Sequence, residues 1–457
     1  MSVKKTADLV VVGGGAAGLA AAFQARFRGA SVVIVQQGPV GGECTFSGCV
    51  PSKALLAAAA RGASFGEAMS SVHAAIAQIA AAEDSAALKP RGIEVISGRG
   101  EVDEQGRVSV NGTRLSSKAV ILAFGSAPMV PPIPGLRETP HLTNESLFQL
   151  VELPARLAII GGGPIGCEMA QAFSQLGSQV TVLEGVDRLL PRDDVDASEV
   201  VRAALEARGV VVRTGEFVAN VSQKPDGIVL SVGESRVTVD RVLVAVGRKP
   251  AFKSVGGLEL SERGWINVDE QLKTNLDGVY AIGDAIGSVQ LTHAAGAMAG
   301  VAVDNALNAG LARFKKRVWE PESIGWTTFT SPEVAQIGMT EQQAASVSGA
   351  QVAEVAMSEV DRAIAVGHQE GFIKLIAAPR RIIGMAGGGR LIGATVVAER
   401  AGEMAGELAL AHATGMFVGR LAQVVHPYPT WSMAITQAAT QFFTDSYSGR
   451  RTREPIG

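Results

Sequence analysis

The sequence is poor in cysteine and in charge. Among its 457 residues there are 3 cysteines, and 19% of the side chains are charged while 47% are hydrophobic. Three cysteines are too few for a structural disulfide framework. A net charge of -3 argues against a nucleic-acid or anionic-membrane partner. No uninterrupted apolar run approaches the roughly eighteen residues that a membrane-spanning helix requires.

The beginning of the chain also lacks an apolar signal segment and a small-residue cleavage site, because it runs directly into a strand-like stretch. We therefore expect a soluble cytoplasmic protein. At about 150 residues per domain, 457 residues suggest roughly three globular domains.

A first nucleotide-binding pattern opens the chain. The apolar run Leu9–Val12 leads into a glycine-rich turn at 13–18, a helical stretch to Arg28 and a second apolar run, Val32–Val35. This is strand, Gly-x-Gly-x-x-Gly turn, helix, strand, in which the glycines let a pyrophosphate approach the N-terminus of the helix. Alone, such a pattern is weak support for dinucleotide binding.

The same pattern recurs, which predicts two bound dinucleotides. Leu157–Ile160 precedes a second glycine turn at 161–166, and the strand after the next helix ends at Glu184, as the first copy ends at Gln36. This position is expected to meet the ribose hydroxyls. A carboxylate there favours NADH over NADPH, although Arg188 could weaken the preference. Alternatively, both residues are simply strand ends.

The only close cysteine pair lies in G-G-E-C-T-F-S-G-C-V-P-S-K, residues 41–53. In a regular helix, Cys44 and Cys49 would be separated by about 7.5 Å of rise alone, whereas disulfide Cα atoms lie at most about 6.8 Å apart. A bridge would need an irregular turn, which Gly48 can supply. Such a pair in a cytosolic chain indicates redox catalysis or metal binding. Two free buried thiols, or half of a zinc site without its other ligands, are the alternatives.

A proline-rich strip near the end of the chain, V-V-H-P-Y-P-T-W-S-M at 424–433, raises a second question. In an extended strip, side chains two apart share a face, so His426 and Tyr428 are expected to point the same way. The strip is therefore either an acid–base site or an inert turn before a helix.

Further motifs give the chain a family resemblance. They are Ala123–Pro128, Val246–Pro250, Ala281–Asp284, T-S-P-E-V-A-Q-I-G at 330–338 and G-F-I-K-L at 371–375. With the two glycine turns, the cysteine segment and the proline-rich strip, they resemble the flavin-dependent pyridine nucleotide–disulfide oxidoreductases, the family of dihydrolipoamide dehydrogenase, glutathione reductase and mercuric reductase. The resemblance covers essentially the whole chain.

The resemblance implies an α/β fold with two Rossmann-like domains and a C-terminal α+β dimerisation domain. The expected division is FAD-binding at 1–142, NAD(P)-binding at 143–265, FAD-binding again at 266–322 and dimerisation at 323–457. It implies FAD on the first Rossmann fold, NAD(H) on the second, with NADPH less favoured, and a homodimer. The substrate is expected to be a thiol or disulfide, free or protein-borne, with no nucleic acid or membrane partner.

The resemblance also assigns roles to residues of this chain. Cys49 is expected to face the flavin and Cys44 to exchange with substrate, while Lys53 sits beside the flavin and pairs with Glu168. The residues expected to bind FAD are Gly13, Gly15, Ala16, Ala17, Gly18, Gln36, Gly42, Lys53, Gly100, Gly125, Ser126, Asp284, Leu291, Thr292 and His293. Those expected to bind NAD are Gly161, Gly163, Pro164, Ile165, Gly166, Glu184 and Gly247. No metal site is expected, and Asp284 would equally suit a helix N-cap.

The proline-rich strip departs from the family. Dihydrolipoamide dehydrogenase and glutathione reductase carry H-P-x-x-x-E there, with the Glu orienting a catalytic His. Alignment puts Tyr428 at the His position and Met433 at the Glu position. Tyrosine, with a reference pKa near 10, is a poor base at neutral pH, and methionine cannot orient a partner ionically. His426 could replace the base, without an evident carboxylate partner, or Tyr428 could contact the substrate or donate a proton, or both could be scaffold.

Three functions follow from these patterns. The first is an FAD-dependent NAD(P)H:disulfide oxidoreductase whose substrate is not dihydrolipoamide in the usual complex. The second is a dihydrolipoamide dehydrogenase that uses His426, and the third is a flavin and disulfide redox sensor or binding protein. Mercuric reductases share the Tyr, but they carry a C-terminal cysteine pair, and no cysteine follows Cys167 here. Cys167 itself is expected to be a core residue.

Overall fold

The computed structural model describes residues 5–252, 255–308, 316–382, 384–444 and 451–452. The strands are β1 Lys5–Val12, β2 Val32–Gln36, β3 Ile93–Ser97, β4 Gly100–Val102, β5 Val108–Val110, β6 Thr113–Leu122, β7 Ser126–Pro128, β8 Arg156–Ile160, β9 Gln179–Glu184, β10 Val211–Thr214, β11 Val218–Lys224, β12 Gly227–Val232, β13 Ser235–Val239, β14 Arg241–Val244, β15 Arg248–Pro250, β16 Val279–Ala281, β17 Trp326–Thr328, β18 Glu333–Gly338, β19 Gln351–Ala356, β20 Phe372–Ala378, β21 Arg390–Ala398 and β22 Arg451–Thr452.

The α-helices are α1 Ala16–Phe27, α2 Gly42–Phe46, α3 Cys49–Ala60, α4 Phe65–Glu83, α5 Ser85–Leu88, α6 Asn144–Leu147, α7 Pro164–Gln175, α8 Val195–Ala207, α9 Thr292–Leu307, α10 Glu341–Ala344, α11 Asp361–Val366, α12 Ala401–Ala413, α13 Val418–Leu421 and α14 Met433–Thr440. None of these described helices combines the length and apolarity needed to cross a bilayer.

The chain forms two compact units. The first unit contains Met1–Pro131, Leu142–Leu153 and Val246–Pro321; the second contains Pro132–His141, Pro154–Ala245 and Glu322–Gly457. The segment expected to bind NAD(P), 143–265, therefore contributes both of its ends to the first unit and its middle to the second. The finer division into four segments stays a prediction.

A parallel sheet forms the centre of the first unit. Its strands run in the order β3-β2-β1-β6, extended by the antiparallel β5 and β4, with β16 beside β6. The predicted apolar runs Leu9–Val12 and Val32–Val35 are buried in β1 and β2, as a sheet covered on both faces requires. Helix α1 follows β1 directly after the glycine turn and packs against α9.

The second unit repeats the arrangement on a smaller scale. Strands β10-β9-β8-β14 form a parallel sheet, and β11, β12 and β13 form an antiparallel one. The unit also contains an antiparallel sheet in the order β17-β18-β21-β20-β19-β22. Every residue of β20 is buried, and helices α12 and α14 contribute to the same hydrophobic core.

A buried lysine connects helix α8 to the C-terminal sheet within the second unit. The side chain of Lys374, on β20, is 0% exposed, and its ammonium lies 2.8 Å from Asp194, 2.5 Å from Asp196 and 2.7 Å from Glu341. Burial favours the neutral amine, but the surrounding carboxylates outweigh it and raise the pKa of Lys374. Removing one partner of such a buried ion cluster typically costs about 3–5 kcal/mol.

Asp193, which directly precedes Asp194, is a buried carboxyl whose described hydrogen-bond partner is a neutral group. Its side chain accepts a hydrogen bond of 2.8 Å from the indole nitrogen of Trp326. Burial raises the pKa of Asp193 from 3.8 to about 6, although this hydrogen bond opposes the increase. Because the raised pKa belongs to the folded state, Asp193 destabilises the fold increasingly as the pH rises from about 4 to about 6.

We therefore predict that Asp193→Asn, which keeps an acceptor for Trp326, stabilises the protein above pH 6 relative to wild type, by up to about 3 kcal/mol. The difference should vanish near pH 4. Thermal unfolding of both proteins from pH 4 to pH 8 measures it. Asp240→Asn is the matched control, because the hydrogen bond from Arg156 lowers the pKa of Asp240. Its effect on stability should therefore have the opposite sign to that of Asp193→Asn. A pH-independent difference for Asp193→Asn would contradict the prediction.

Candidate active site

The two glycine turns have the same geometry. Gly13 and Gly161 both have φ near +112°, a conformation that glycine alone adopts readily. In each copy, the amide of this glycine donates at 2.9 Å to the carbonyl of the second-to-last residue of the neighbouring strand, Val35 in β2 and Leu183 in β9. The predicted strand–turn–helix–strand pattern is confirmed in both places.

The residues that close the second strand of each copy also occupy equivalent positions. The side chain of Gln36 accepts from the amide of Gly14 at 2.6 Å, and the carboxylate of Glu184 accepts from the amide of Gly162 at 2.5 Å. Each side chain therefore lies over the second glycine of its turn. Their contact with ribose hydroxyls stays a prediction.

The glycines differ in the space that surrounds them. A Cβ at Gly18 or Gly166 would clash with the carbonyl oxygen of the first glycine of its turn, so these positions serve helix–turn packing. A Cβ at Gly125, Gly163 or Gly247 would meet nothing within 4 Å. These three positions are expected cofactor contacts, and the open space beside them fits the close backbone approach of a dinucleotide.

The remaining residues expected to bind cofactor lie on the elements that flank the turns. Ala16 and Ala17 begin α1, Pro164 and Ile165 begin α7, and Leu291 precedes α9, which starts with Thr292 and His293. Gly42 has φ +64° and lies so close to Gly15 that a Cβ would reach 2.7 Å from the Cα of Gly15. Gly100 packs against the side chains of Val12 and Val35.

The cysteine pair sits at a break between two helices. Helix α2 ends at Phe46 and α3 begins at Cys49, so Cys44 and Cys49 do not share a regular helix. Both are thiols here, Cys44 half-buried and Cys49 exposed. The hydroxyl of Thr292 lies 3.3 Å from the sulfur of Cys44 and 3.5 Å from that of Cys49. The predicted irregular turn is confirmed; oxidation to a disulfide stays a prediction.

The surroundings of Cys44 affect how readily its thiol ionises. The hydrogen bond with Cys49 and burial both raise the pKa of the Cys44 thiol, and the hydrogen bond from Thr292 opposes the increase. The surroundings of Cys44 therefore favour its thiol over its thiolate. Cys167 is completely buried, its sulfur donating to the carbonyl of Gly162 at 3.3 Å, which agrees with the expected core role.

A polar network surrounds the residue before Cys44. The guanidinium of Arg248 holds the carboxylate of Glu43 through both terminal nitrogens, one of them at 2.6 Å. Its third nitrogen donates to Ser126 at 2.5 Å and to Asp284 at 3.1 Å. Ser126 also donates to Asp284 at 2.5 Å. Ser126 and Asp284, both expected to bind FAD, are thus brought together in the first unit.

Lys53 and Glu168 belong to different units. Lys53 lies on α3, one turn after Cys49, in the first unit. Glu168 lies on α7 in the second unit, with its side chain buried, and accepts from the amide of Phe329 at 3.0 Å. Their predicted pairing beside the flavin stays a prediction.

His426 has a carboxylate partner, contrary to the sequence-based expectation. Its Nε2 lies 2.8 Å from Glu407 on α12, and its Nδ1 lies 2.8 Å from the hydroxyl of Thr436 on α14. The side chain is only 8% exposed. Both ring nitrogens are engaged, so the imidazole holds the strip between two helices.

Tyr428 has different surroundings. It is 70% exposed, and its hydroxyl donates to Asp361 at 3.0 Å. This hydrogen bond raises the pKa of Tyr428 above its ordinary value near 10. The expectation that His426 and Tyr428 point the same way is therefore wrong: one is enclosed by α12 and α14, and the other reaches α11.

Several of these partners carry no signal in the sequence. Glu407 and Asp361 lie 19 and 67 positions from the side chains they bind. Arg248 falls inside one of the family-like motifs, but its spacing from Glu43 predicts no contact. Asn144, whose amide donates to Glu43 and, at 3.2 Å, to the carbonyl of Ser47, lies outside every motif.

Comparison with known proteins identifies the family. Residues 7–299 match the model of the pyridine nucleotide-disulphide oxidoreductases, and 324–439 match the dimerisation domain of that family. A mercuric reductase of Staphylococcus aureus is 33% identical over 96% of this chain and 83% of its own. A dihydrolipoyl dehydrogenase of Thermus scotoductus is 33% identical over 95% of this chain and 97% of its own.

Solved structures agree with the sequence relatives. The HOCl-induced flavoprotein disulfide reductase RclA from Escherichia coli superposes with a TM-score of 0.85 at 27% identity, covering 95% of this chain and 99% of that one. The expected fold class is thereby confirmed. The chain therefore belongs to the pyridine nucleotide–disulfide oxidoreductases, flavoproteins that use FAD and NAD(P)H, and it carries the domain through which they form homodimers.

Proposed function

We propose that this protein delivers electrons through Cys44 and Cys49 to a thiol–disulfide acceptor, a small molecule or a protein-borne group, with Tyr428 in place of the usual His–Glu dyad. When bound, FAD supplies the exchange of electrons between the nicotinamide nucleotide and the cysteine pair. The observation that carries the proposal is the meeting of both sulfurs at the Thr292 hydroxyl, within the unit that contains the first glycine turn.

The exchange with the acceptor balances as two displacements. The thiolate of Cys44, once its proton has left, attacks one sulfur of the acceptor disulfide and releases the other as a thiolate, which takes up a proton. Cys49 then attacks the sulfur of Cys44 in the mixed disulfide. This step restores the Cys44–Cys49 bond and releases the second acceptor thiol. Two electrons have passed to the acceptor.

We propose that Tyr428 serves this exchange as a hydrogen-bond donor. Its raised pKa keeps the phenol protonated at neutral pH, so it cannot take a proton from Cys44. To donate to a departing thiolate, its single hydroxyl proton turns away from Asp361, which is the one partner among the contacts described for it. The side chain is mostly exposed, so such a turn meets little resistance. His426, enclosed by Glu407 and Thr436, positions the strip.

A dihydrolipoamide dehydrogenase that uses His426 is the second candidate. Glu407 supports it, because a carboxylate 2.8 Å from the imidazole is the partner that such a base requires. The engagement of both ring nitrogens argues against it. Mercury reduction has less support, since no cysteine follows Cys167 to pass a soft metal inward.

We predict that Tyr428→Phe slows transfer from the reduced protein to a disulfide acceptor by about ten- to a hundredfold, the value of one hydrogen bond to a charged group. Reduction of the flavin by NADH should be unchanged. Stopped-flow measurement of the two half-reactions separates these effects, with lipoamide and glutathione disulfide as acceptors. Copper(II) is a third acceptor to include, because one structure of RclA is a Cu(II) complex.

Glu407→Gln is the matched variant for the second candidate. If His426 were the base, loss of the carboxylate that orients it would slow acceptor reduction. We expect a loss of thermal stability and an unchanged rate of acceptor reduction. A slower rate for Glu407→Gln together with a normal rate for Tyr428→Phe would support the His426 candidate instead.

We further propose that NADH is preferred over NADPH. The carboxylate of Glu184 lies over the second glycine turn, where it would repel a 2′-phosphate. Arg188, the cation that could offset this repulsion, donates to the carbonyl of Pro191 at 2.9 Å.

The preference is measured as the ratio of kcat/KM for NADH to that for NADPH, at a fixed concentration of acceptor. We expect a ratio well above one for the wild type. Glu184→Ala should bring it down by about tenfold, the effect of losing one charge-assisted hydrogen bond. A wild-type ratio below one, or a ratio unaffected by the substitution, would contradict the proposal.

A further inference from the structure

Glu43 directly precedes Cys44 and is bound from two sides. Arg248 donates to both of its carboxylate oxygens, and the amide of Asn144 donates to one of them. Asn144 also donates to the carbonyl of Ser47 at 3.2 Å. In the chain, Cys44 lies between Glu43 and Ser47. Arg248 and Asn144 therefore hold the turn that carries Cys44 at both of its ends.

The backbone of the same turn leaves little room for movement. The amide of Ser47 donates to the carbonyl of Glu43 at 2.9 Å. At Gly48, a Cβ would come within 3.0 Å of that carbonyl oxygen and 3.3 Å of the Cα of Cys44. The separation between Cys44 and the start of α3 therefore depends on where Glu43 is held.

Arg248 uses its whole guanidinium in this network. Two nitrogens bind Glu43, and the third binds Ser126 and Asp284. The side chains of Arg248, Glu43 and Asp284 are 14%, 28% and 24% exposed. Such a planar fork can serve two carboxylates at once, whereas a lysine ammonium is a single point of charge.

We propose that Glu43 is a positioning residue for the redox pair, and that Arg248 joins it to Asp284, so that the turn carrying Cys44 is fixed to residues expected to hold the flavin. This inference rests on the proposed function, because it assumes that Cys44 and Cys49 form a disulfide. If the inference is correct, the position of Glu43 affects how strongly that disulfide resists reduction. Two thiols held close together have a high effective concentration, and the disulfide between them resists reduction accordingly.

The test is the equilibrium of the Cys44–Cys49 couple in the FAD-loaded protein. The protein is equilibrated with dithiothreitol buffers of graded oxidation, and free thiols are alkylated and located by mass spectrometry. Buried Cys167 provides an unreactive internal reference. For Glu43→Gln we expect the equilibrium constant for disulfide formation to fall at least about tenfold, which raises the reduction potential by about 30 mV.

Arg248→Lys separates positioning from charge. It keeps the positive charge but loses the fork, so we expect a decrease similar to that of Glu43→Gln. Asn144→Ala, which removes the second anchor without leaving a charge unpaired, should give a smaller decrease. Arg156→Gln is the matched control, because it breaks an arginine–aspartate pair in the second unit, and its equilibrium should equal that of the wild type.

Two outcomes would overturn the inference while leaving the proposed function intact. The first is a wild-type equilibrium for Glu43→Gln, whether or not its melting temperature is lower. The second is a wild-type equilibrium for Arg248→Lys, which would show that charge alone acts. A wild-type protein that forms no disulfide in any buffer would overturn both the inference and the proposed function.

Discussion

Two thiols five positions apart can approach each other only where the helix that would carry both is interrupted. In this protein the interruption lies between Phe46 and Cys49, and the residues around it stabilise the break between the two helices. Glu43 is held by Arg248 and Asn144 on one side of the turn, and Gly48 keeps the other side free of a Cβ. The hydroxyl of Thr292, at the first residue of α9, reaches both sulfurs.

The charged side chains around this turn are paired with one another. Glu43 and Asp284 are carboxylates with limited access to water, and Arg248 serves both. A buried carboxylate without such a partner would be protonated or would destabilise the fold. The same principle operates in the second unit, where Lys374 serves several carboxylates and connects α8 to the C-terminal sheet.

Much of the fold could be predicted from the sequence, because local patterns determine it. The apolar runs, the glycine turns and the residues that close the strands depend on spacings of a few residues, and they were found where expected, including the equivalent positions of Gln36 and Glu184. The helix break at the cysteine pair was predictable in the same way. The rise of a regular helix over five residues is too long for two cysteines that form a disulfide.

The partners of the site residues could not be predicted in this way. Glu407, on α12, contacts His426 from 19 positions away, and Arg248 contacts Glu43 from 205 positions away. Such contacts depend on tertiary packing, which a single sequence does not encode as a spacing. The alternation rule also failed for His426 and Tyr428, since their environments differ in burial and in hydrogen-bond partners.

We propose that the cysteine pair stores electrons, and an anaerobic reductive titration of the FAD-loaded protein tests this without knowledge of the acceptor. We predict that the wild type takes up twice as many electrons as Cys44→Ser, and that thiols open to alkylation appear at Cys44 and Cys49 but not at Cys167. Equal uptake by the two proteins would contradict it, because the electrons would then reside on the flavin alone.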